Sequence, residues 1–563
     1  MMKQLLISFF FACILTWLLP AGLVAQQEVI GDPYSPTATK NLPRSPAFRT
    51  SSGLFEVRQV NIDDNGDNII GDAANEPSIA VSPVDPNKMI MGWRQFDNVN
   101  NNFRQAGFAY SIDGGLTWIN PGNIIDPGIF RSDPVLDVDA EGRFYYNSLT
   151  NYTGNYTCNV YRSTGDGTWD DGPPAFGGDK QWMTIDKTEG PGKGLIYADW
   201  NVSFTSCAGG SFTRSTDGGE TYEDCIPLNP SGLYWGTMNI GPDGTLYASG
   251  NGGYLSRSTN AQQPGENPIL ESKEAYLGGN IMAFNGNSPN PGGLLGQIWV
   301  ASNHAQGAHY GELYVMGTVQ PDGTADPSDV LFIRSSDKGD TWNIPTRIND
   351  DPVDSLNFQW FGTMSVAPNG RIDAVWLDTR DNPGTYLSSL YYANSFDGGD
   401  NWSVNVRLSE AFDPWLGWPN QQKMGDYFHM VSDNTGAHLA WTGTFNSEED
   451  VYYGHINLTP PSATNETAAT DASLLQQNYP NPFSGSSNFS YQVAVASSVQ
   501  IDIYDHLGGT VRRLLSQNLG AGKYSAYWDG KNDAGLGLPG GVYFSKMTID
   551  GRVVDTKRMV LLR

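Results

Sequence analysis

Four octapeptides spread along the chain are near copies of one another: Ser111-Ile-Asp-Gly-Gly-Leu-Thr-Trp118, Ser215-Thr-Asp-Gly-Gly-Glu-Thr-Tyr222, Ser335-Ser-Asp-Lys-Gly-Asp-Thr-Trp342 and Ser395-Phe-Asp-Gly-Gly-Asp-Asn-Trp402. A degenerate copy runs from Ser163 to Trp169 and a more eroded one from Ser256 to Asn260. Recurrence constrains a fold more than composition does, because each repeat is a unit that cannot bury its apolar face alone. Ser111 to Ser163 and Ser163 to Ser215 are both 52 residues, about the length of a four-stranded propeller blade with its loops. Inside each copy the Asp accepts backbone N–H groups across a tight turn. The Gly supplies a left-handed position, and the Trp or Tyr packs between sheets. Asp113, Asp217, Asp337 and Asp397 are therefore read as structural.

The octapeptide resembles the Asp-box, S-x-D-x-G-x-T-W, of the sialidase-like, BNR-repeat propellers. The resemblance covers roughly residues 75 to 458 and implies that the box turns lie away from the binding face. Seven segments open the units: Glu76-Pro-Ser-Ile, Asp133-Pro-Val-Leu, Asp179-Lys-Gln-Trp, Trp235-Gly-Thr-Met, Asn280-Ile-Met-Ala, Gln359-Trp-Phe-Gly and Asp426-Tyr-Phe-His. The count favours seven blades, with six, the sialidase number, as the alternative. Phe55 to Ile62 reads as an orphan strand, and the last unit, ending near Ile456, lacks a box. Pairing the two would close the ring and remove an open edge. With 12% aromatic residues, 65 Gly and no long helical stripe after the first 25 positions, the fold class is all-β.

The ends of the chain carry different signals. Lys3, the apolar run Leu5 to Leu19 and the small residues up to Ala25 form a secretory signal peptide, residues 1–25, leaving no transmembrane anchor in the mature chain. Residues 26–54 read as an N-terminal extension, 55–458 as the propeller and 459–473 as a linker of small residues with Pro. From 474 to 563 alternating strands predict a small Ig-like antiparallel β-sandwich. Asn478-Tyr-Pro-Asn-Pro-Phe483, Trp528-Asp-Gly530, Pro539-Gly-Gly-Val-Tyr-Phe544 and the basic end from Lys557 make this module resemble the type IX secretion C-terminal sorting domain. That resemblance implies delivery of a folded cargo to the cell surface or medium by the type IX machinery. Export permits a disulfide among Cys158, Cys207 and Cys225, without fixing the pair.

A formal net charge of −27, from 60 acidic against 33 basic residues, repels phosphate backbones and anionic headgroups and argues against nucleic acid as a partner. If the openings align, Glu76, Asp133, Asp179, Asn280, Gln359 and Asp426 converge on one mouth of the ring. Such carboxylates and amides suit sugar hydroxyls or a hard cation such as Ca²⁺, or else fasten loops between blades. Arg94, Arg131 and Arg380 are the candidates for binding an acidic sugar's carboxylate, and Trp93, Trp200, Trp376 and Trp441 for stacking on sugar faces. The partners expected on these grounds are extracellular glycans or glycoproteins.

Two catalytic alternatives stay open. A sialidase needs an F-R-I-P-like segment before the first box, whereas the nearest match, Phe130-Arg-Ser-Asp-Pro134, follows it, and the three arginines do not reproduce the family order. A polysaccharide lyase would draw on His304, His309 and Tyr310. Asp63-Asp-Asn-Gly-Asp67 resembles half of a calcium loop without the distal Glu.

Overall fold

The computed structural model describes residues 32–35, 41–51, 53–152, 155–231, 233–281, 287–458, 474–475, 478, 481–493, 496–505, 509–520, 522–550 and 552–562. The signal peptide at 1–25 and the linker at 459–473 lie outside them. All regular elements among the described residues are strands, and the chain divides into two units, Met1–Pro460 and Pro461–Arg563.

The described residues of the first unit form seven antiparallel sheets of three or more strands, alongside a two-stranded ribbon of Arg44–Pro46 with Asp67–Ile69. The innermost strands are Ala73–Val81, Ser132–Val138, Trp182–Ile185, Met238–Ile240, Trp299–Ser302, Gln359–Val366 and His429–Ser432. Each touches the next in this order, and the last touches the first. A cycle of sheets packed face to face around an axis is a β-propeller. Neighbouring sheets cover both faces of these strands, and Trp182–Ile185 and Trp299–Ser302 are buried at every position.

The ring closes as the orphan strand predicts. Phe55–Gln59 pairs antiparallel with Asp450–Asn457, Phe55 opposite Ile456, and Arg49–Ser51 pairs with it in turn. Strand structure thus begins inside the segment read as an extension. Phe55 and Val57 are buried against Trp360, Phe428, Trp441 and Tyr452, which couples the start of the propeller to its end.

The four boxes share one geometry. In the first, the Ser111 hydroxyl donates to Asp113 Oδ1 at 2.8 Å and accepts from the Gly115 N–H at 2.9 Å. The N–H and hydroxyl of Thr117 both donate to the Asp113 carboxylate. The same bonds recur at Asp217, Asp337 and Asp397, with Asn401 replacing Thr in the last. At Asp337 the Thr341 hydroxyl and N–H hold the carboxyl down at about 2. The boxes are turn fasteners. Cys207 and Cys225 form a disulfide, and Cys158 is a buried free thiol.

In the second unit two sheets, of three and four strands, enclose a core that includes Phe489, Val499, Ile501, Trp528 and Met547. This is the expected small sandwich. No helix among the described residues is long and apolar enough to cross a membrane.

Candidate functional site

Each innermost strand has a residue in the left-handed region within its first residues or shortly before it. These are Glu76 (φ 50°), Asp133 (45°), Lys180 (57°), Trp235 (63°), Gly296 (138°), Phe361 (56°) and Gly425 (85°). A left-handed non-glycine residue costs about 1–3 kcal/mol and persists only where its surroundings over-determine it. Around Glu76, Asp133 and Lys180 the surroundings are charged. Glu76 Oε1 pairs with Arg94 Nη2 at 3.2 Å and Lys423 Nζ at 3.4 Å. Asp426 Oδ2 pairs with Lys423 Nζ at 2.7 Å and with Lys180, and Asp426 Oδ1 accepts the Leu294 N–H at 2.8 Å. Asp133 Oδ2 accepts the Lys180 N–H at 3.3 Å, and Ser132 donates to its other oxygen. The lattice ties the first, second, third and seventh sheets together.

Glu76, Asp133 and Asp426 thus meet in a buried ion-pair cluster with Arg94 and the two lysines and do not line an open mouth, while Gln359 bonds Asp351 and Asp378 in the sixth sheet. Glu76, Asp179 and Asp426 are 0% exposed, Asp133 1%, and Lys180 and Lys423, which sequence reasoning missed, 4% and 2%. The connections around Leu294 and Met424 cover them, and Asn290 links these two: Asn290 Nδ2 donates to the carbonyl oxygens of Leu294 and Gly425, and Met424 N–H donates to Asn290 Oδ1. Lysines in the opening segments Asp179-Lys-Gln and Gln422-Lys-Met-Gly-Asp426 were the signal for ion pairing. Asn280 is exposed and belongs to a strand, Gly279–Ile281, that pairs with the far end of Leu313–Pro321. The fifth opening is Gly296-Gln297 instead.

The three arginines do not assemble. Arg94 is held by Glu76 and by Asn75, and Arg131 by the Ser148 carbonyl and Asn159 over the Tyr161 ring. Arg380 bonds Asp378, Asp350 and Asn405 and stacks on Tyr391 at 4.5 Å, in the sixth sheet. His304 bonds the Ile240 carbonyl at 2.8 Å and His309 the Glu312 carboxylate at 3.0 Å, so they do not form a proton-abstracting pair. Trp93, Trp200, Trp376 and Trp441 are at most 1% exposed and belong to the core. Asp63 accepts from Arg44 and from its own turn. Among the described residues no group of three or more His, Cys, Asp or Glu is placed to hold a metal ion.

A cluster of partly exposed aromatics lies elsewhere. Tyr386, between the second and third strands of the sixth sheet, stacks on Trp415 at 5.0 Å and 28°, and Trp415 meets Trp418 at 5.6 Å and 33°. Both tryptophans belong to the connection from the sixth sheet to the seventh. Trp415 is 40% exposed, and its indole N–H donates to the Pro289 carbonyl at 3.1 Å, which fixes the ring. Between the two tryptophans Gly417 has φ +65°, and a Cβ there would sit 2.4 Å from the Glu448 Cα. Only glycine holds this loop. Two Trp in Asp413-Pro-Trp-Leu-Gly-Trp-Pro419, outside any strand or box, were the available signal.

A second feature lies on the axis. A cavity of about 520 Å³ is lined by the innermost strands and by the turns that follow them, including Pro83, Pro368 and Asn434. The left-handed residues of the first six sheets each stand three positions before a lining residue: Ile79, Leu136, Met183, Met238, Trp299 and Met364.

Residues 478–551 match the FlgD Ig-like domain family. No curated protein matches the sequence. Among solved structures the chain is similar to a fungal alcohol oxidase of the AA5 family in complex with copper, with TM-score 0.44 and 12% identity over 92% of this chain and 100% of that one. It is similar to YCF48 bound to D1 peptide, with TM-score 0.39 and 13% identity over 75% and 99%. A third is the Trypanosoma rangeli sialidase in complex with the inhibitor DANA, with TM-score 0.35 and 11% identity over 92% of each chain. Likeness at this level carries no ligand or activity across, and the propeller assignment rests on the cycle of sheets.

Proposed function

We propose that this chain is an exported, non-catalytic propeller that binds extracellular glycans along the ridge of Tyr386, Trp415 and Trp418. The observation that carries the reading is the row of three neighbouring rings, partly exposed and held in place by Gly417 and the Pro289 carbonyl. The outer face and edges of this row, with Trp415 40% exposed, offer an apolar aromatic surface on which a sugar ring can pack. The glycosidase alternative loses ground because its candidate arginines lie apart and are already bonded, Arg94 to Glu76, Arg131 to the Ser148 carbonyl and Asn159, and Arg380 to Asp378. In a glycan array Trp415→Ala is expected to weaken the best hit about tenfold or more, equivalent to about 1.4 kcal/mol, with the melting curve unchanged. Full binding by that variant would remove the ridge from the reading.

Delivery is proposed to follow the type IX route, the module from 474 to 563 acting as the sorting signal. Its support is the motif series from Asn478 to Arg563 carried on an Ig-like sandwich. Removing residues 474–563 is expected to leave a folded propeller in the periplasm of its own host. Surface or medium delivery of the truncated chain would contradict the proposal.

A further inference from the structure

We propose that the axial cavity is a second binding site, separate from the aromatic ridge, that takes an uncharged, mainly apolar acyl or aryl group carrying one hydrogen-bond acceptor. Its wall includes Ile79, Leu136, Met183, Met238, Trp299 and Met364, interspersed with neutral polar residues such as Thr184, Thr237 and Asn239. Three methionines in one wall adapt to ligand shape, because the thioether side chain is unbranched and polarizable. The volume, about 520 Å³, falls in the range of small-molecule pockets.

The charged groups at its rim are already engaged. Asp137 pairs with Lys187 at 2.6 Å and accepts the Ile185 N–H at 2.8 Å. Asp433 accepts from Thr435, Gly436 and His438. A charged ligand would lose its hydration without gaining a free counter-charge, so the cavity selects neutral groups.

One polar group is set for recognition. The Ile79 N–H points at His429 Nδ1 at 3.3 Å, which makes Nδ1 an acceptor. The Ser78 hydroxyl, itself accepting the Leu136 N–H at 2.9 Å, donates to the same nitrogen at 2.8 Å. The ring proton therefore sits on Nε2, on the opposite edge of the imidazole. Burial keeps the ring neutral down to about pH 4. The ring stacks on Trp299 at 5.7 Å and meets Trp182 edge-on at 5.4 Å, which fixes its orientation in the cavity lining. Among the described residues Nε2–H has no protein acceptor, and a ligand carbonyl supplies one.

The test uses the full chain and the neutral fluorophore N-phenylnaphthylamine, displaced by octanamide or by octanoate. One saturable probe site is expected, with octanamide displacing at a concentration about tenfold or more below that of octanoate. Met238→Trp, which fills the wall, is expected to abolish probe binding, and Met364→Phe replaces it if that variant does not fold. His429→Phe is expected to keep the probe while weakening octanamide about fivefold to tenfold, the loss of one hydrogen bond. Trp415→Ala is expected to leave both unchanged, separating this site from the ridge. Absence of saturable probe binding, equal displacement by octanoate, or unaltered binding in a folded cavity-filled variant would each overturn the proposal.

Discussion

Deleting residues 26–62 is expected to bring the propeller to the edge of unfolding. The deletion removes Phe55, Val57 and Val60, each at most 1% exposed, from the last interface of the ring. Burial of such side chains contributes about 1.5–3 kcal/mol apiece, so roughly 5–9 kcal/mol is lost, against a total stability of about 5–15 kcal/mol for a typical protein. Asp450–Asn457 would also be left as a long, largely apolar open edge, a template for aggregation. The checks are a calorimetric melt and a light-scattering trace on the truncated protein. Phe55→Ala, expected to cost about 3–5 kcal/mol, is the milder version of the same experiment. Melting at the full-length temperature in both proteins would mean that the seventh sheet is held by its three C-terminal strands alone.

The second large effect is expected at Asp426. Asp426→Asn takes the paired carboxylate from buried Lys180 and leaves Lys423 its longer contact to Glu76, and breaking a buried pair from one side costs about 3–5 kcal/mol. Chemical denaturation of the variant checks the size, and a glycan array checks that binding follows stability and is not lost separately. A loss of binding in a variant of normal stability would reassign the lattice as a ligand site. The pH dependence has a defined sign. Burial pushes Asp426 upward, but Lys180 and Lys423 outweigh it and hold the carboxyl well below its ordinary value. A depressed folded pKa contributes stability above the ordinary Asp value of ~4 and loses it as the pH falls further. Glu76 runs the other way: burial, outweighing Arg94 and Lys423, raises it to about 8. Its contribution is full below the ordinary Glu value and fades as the pH rises toward 8. The variant is expected to lose much of the acid-side slope in a denaturation series below pH ~4.

Much of the architecture was legible because its determinants are local. A box turn is specified by Ser, Asp, Gly and Thr within one octapeptide, and Asp113, Asp217, Asp337 and Asp397 play the structural part read from their spacing. The closing strand was legible for a related reason: Phe55-Glu-Val-Arg-Gln alternates, and a last unit without a box needs a partner. The openings also fell at the right places in six of the seven sheets, since strand starts follow the local change from polar to apolar sequence.

What the sequence determined by itself was the repeat, the strand pattern, the turn chemistry and the closure of the ring, all written within segments of a few residues. Only the tertiary structure decided which residue of each opening takes the left-handed position, Lys180 and not Asp179, Phe361 and not Gln359. It also decided which charges meet: Asp426 lies 246 residues from Lys180 and 350 from Glu76, and no local pattern records that separation. The same holds for exposure. Trp441 and Trp415 look alike as letters, yet one packs between sheets and the other stands 40% exposed on a loop pinned by Gly417. Burial and charge pairing are properties of the closed ring, because they depend on which segments the ring brings face to face.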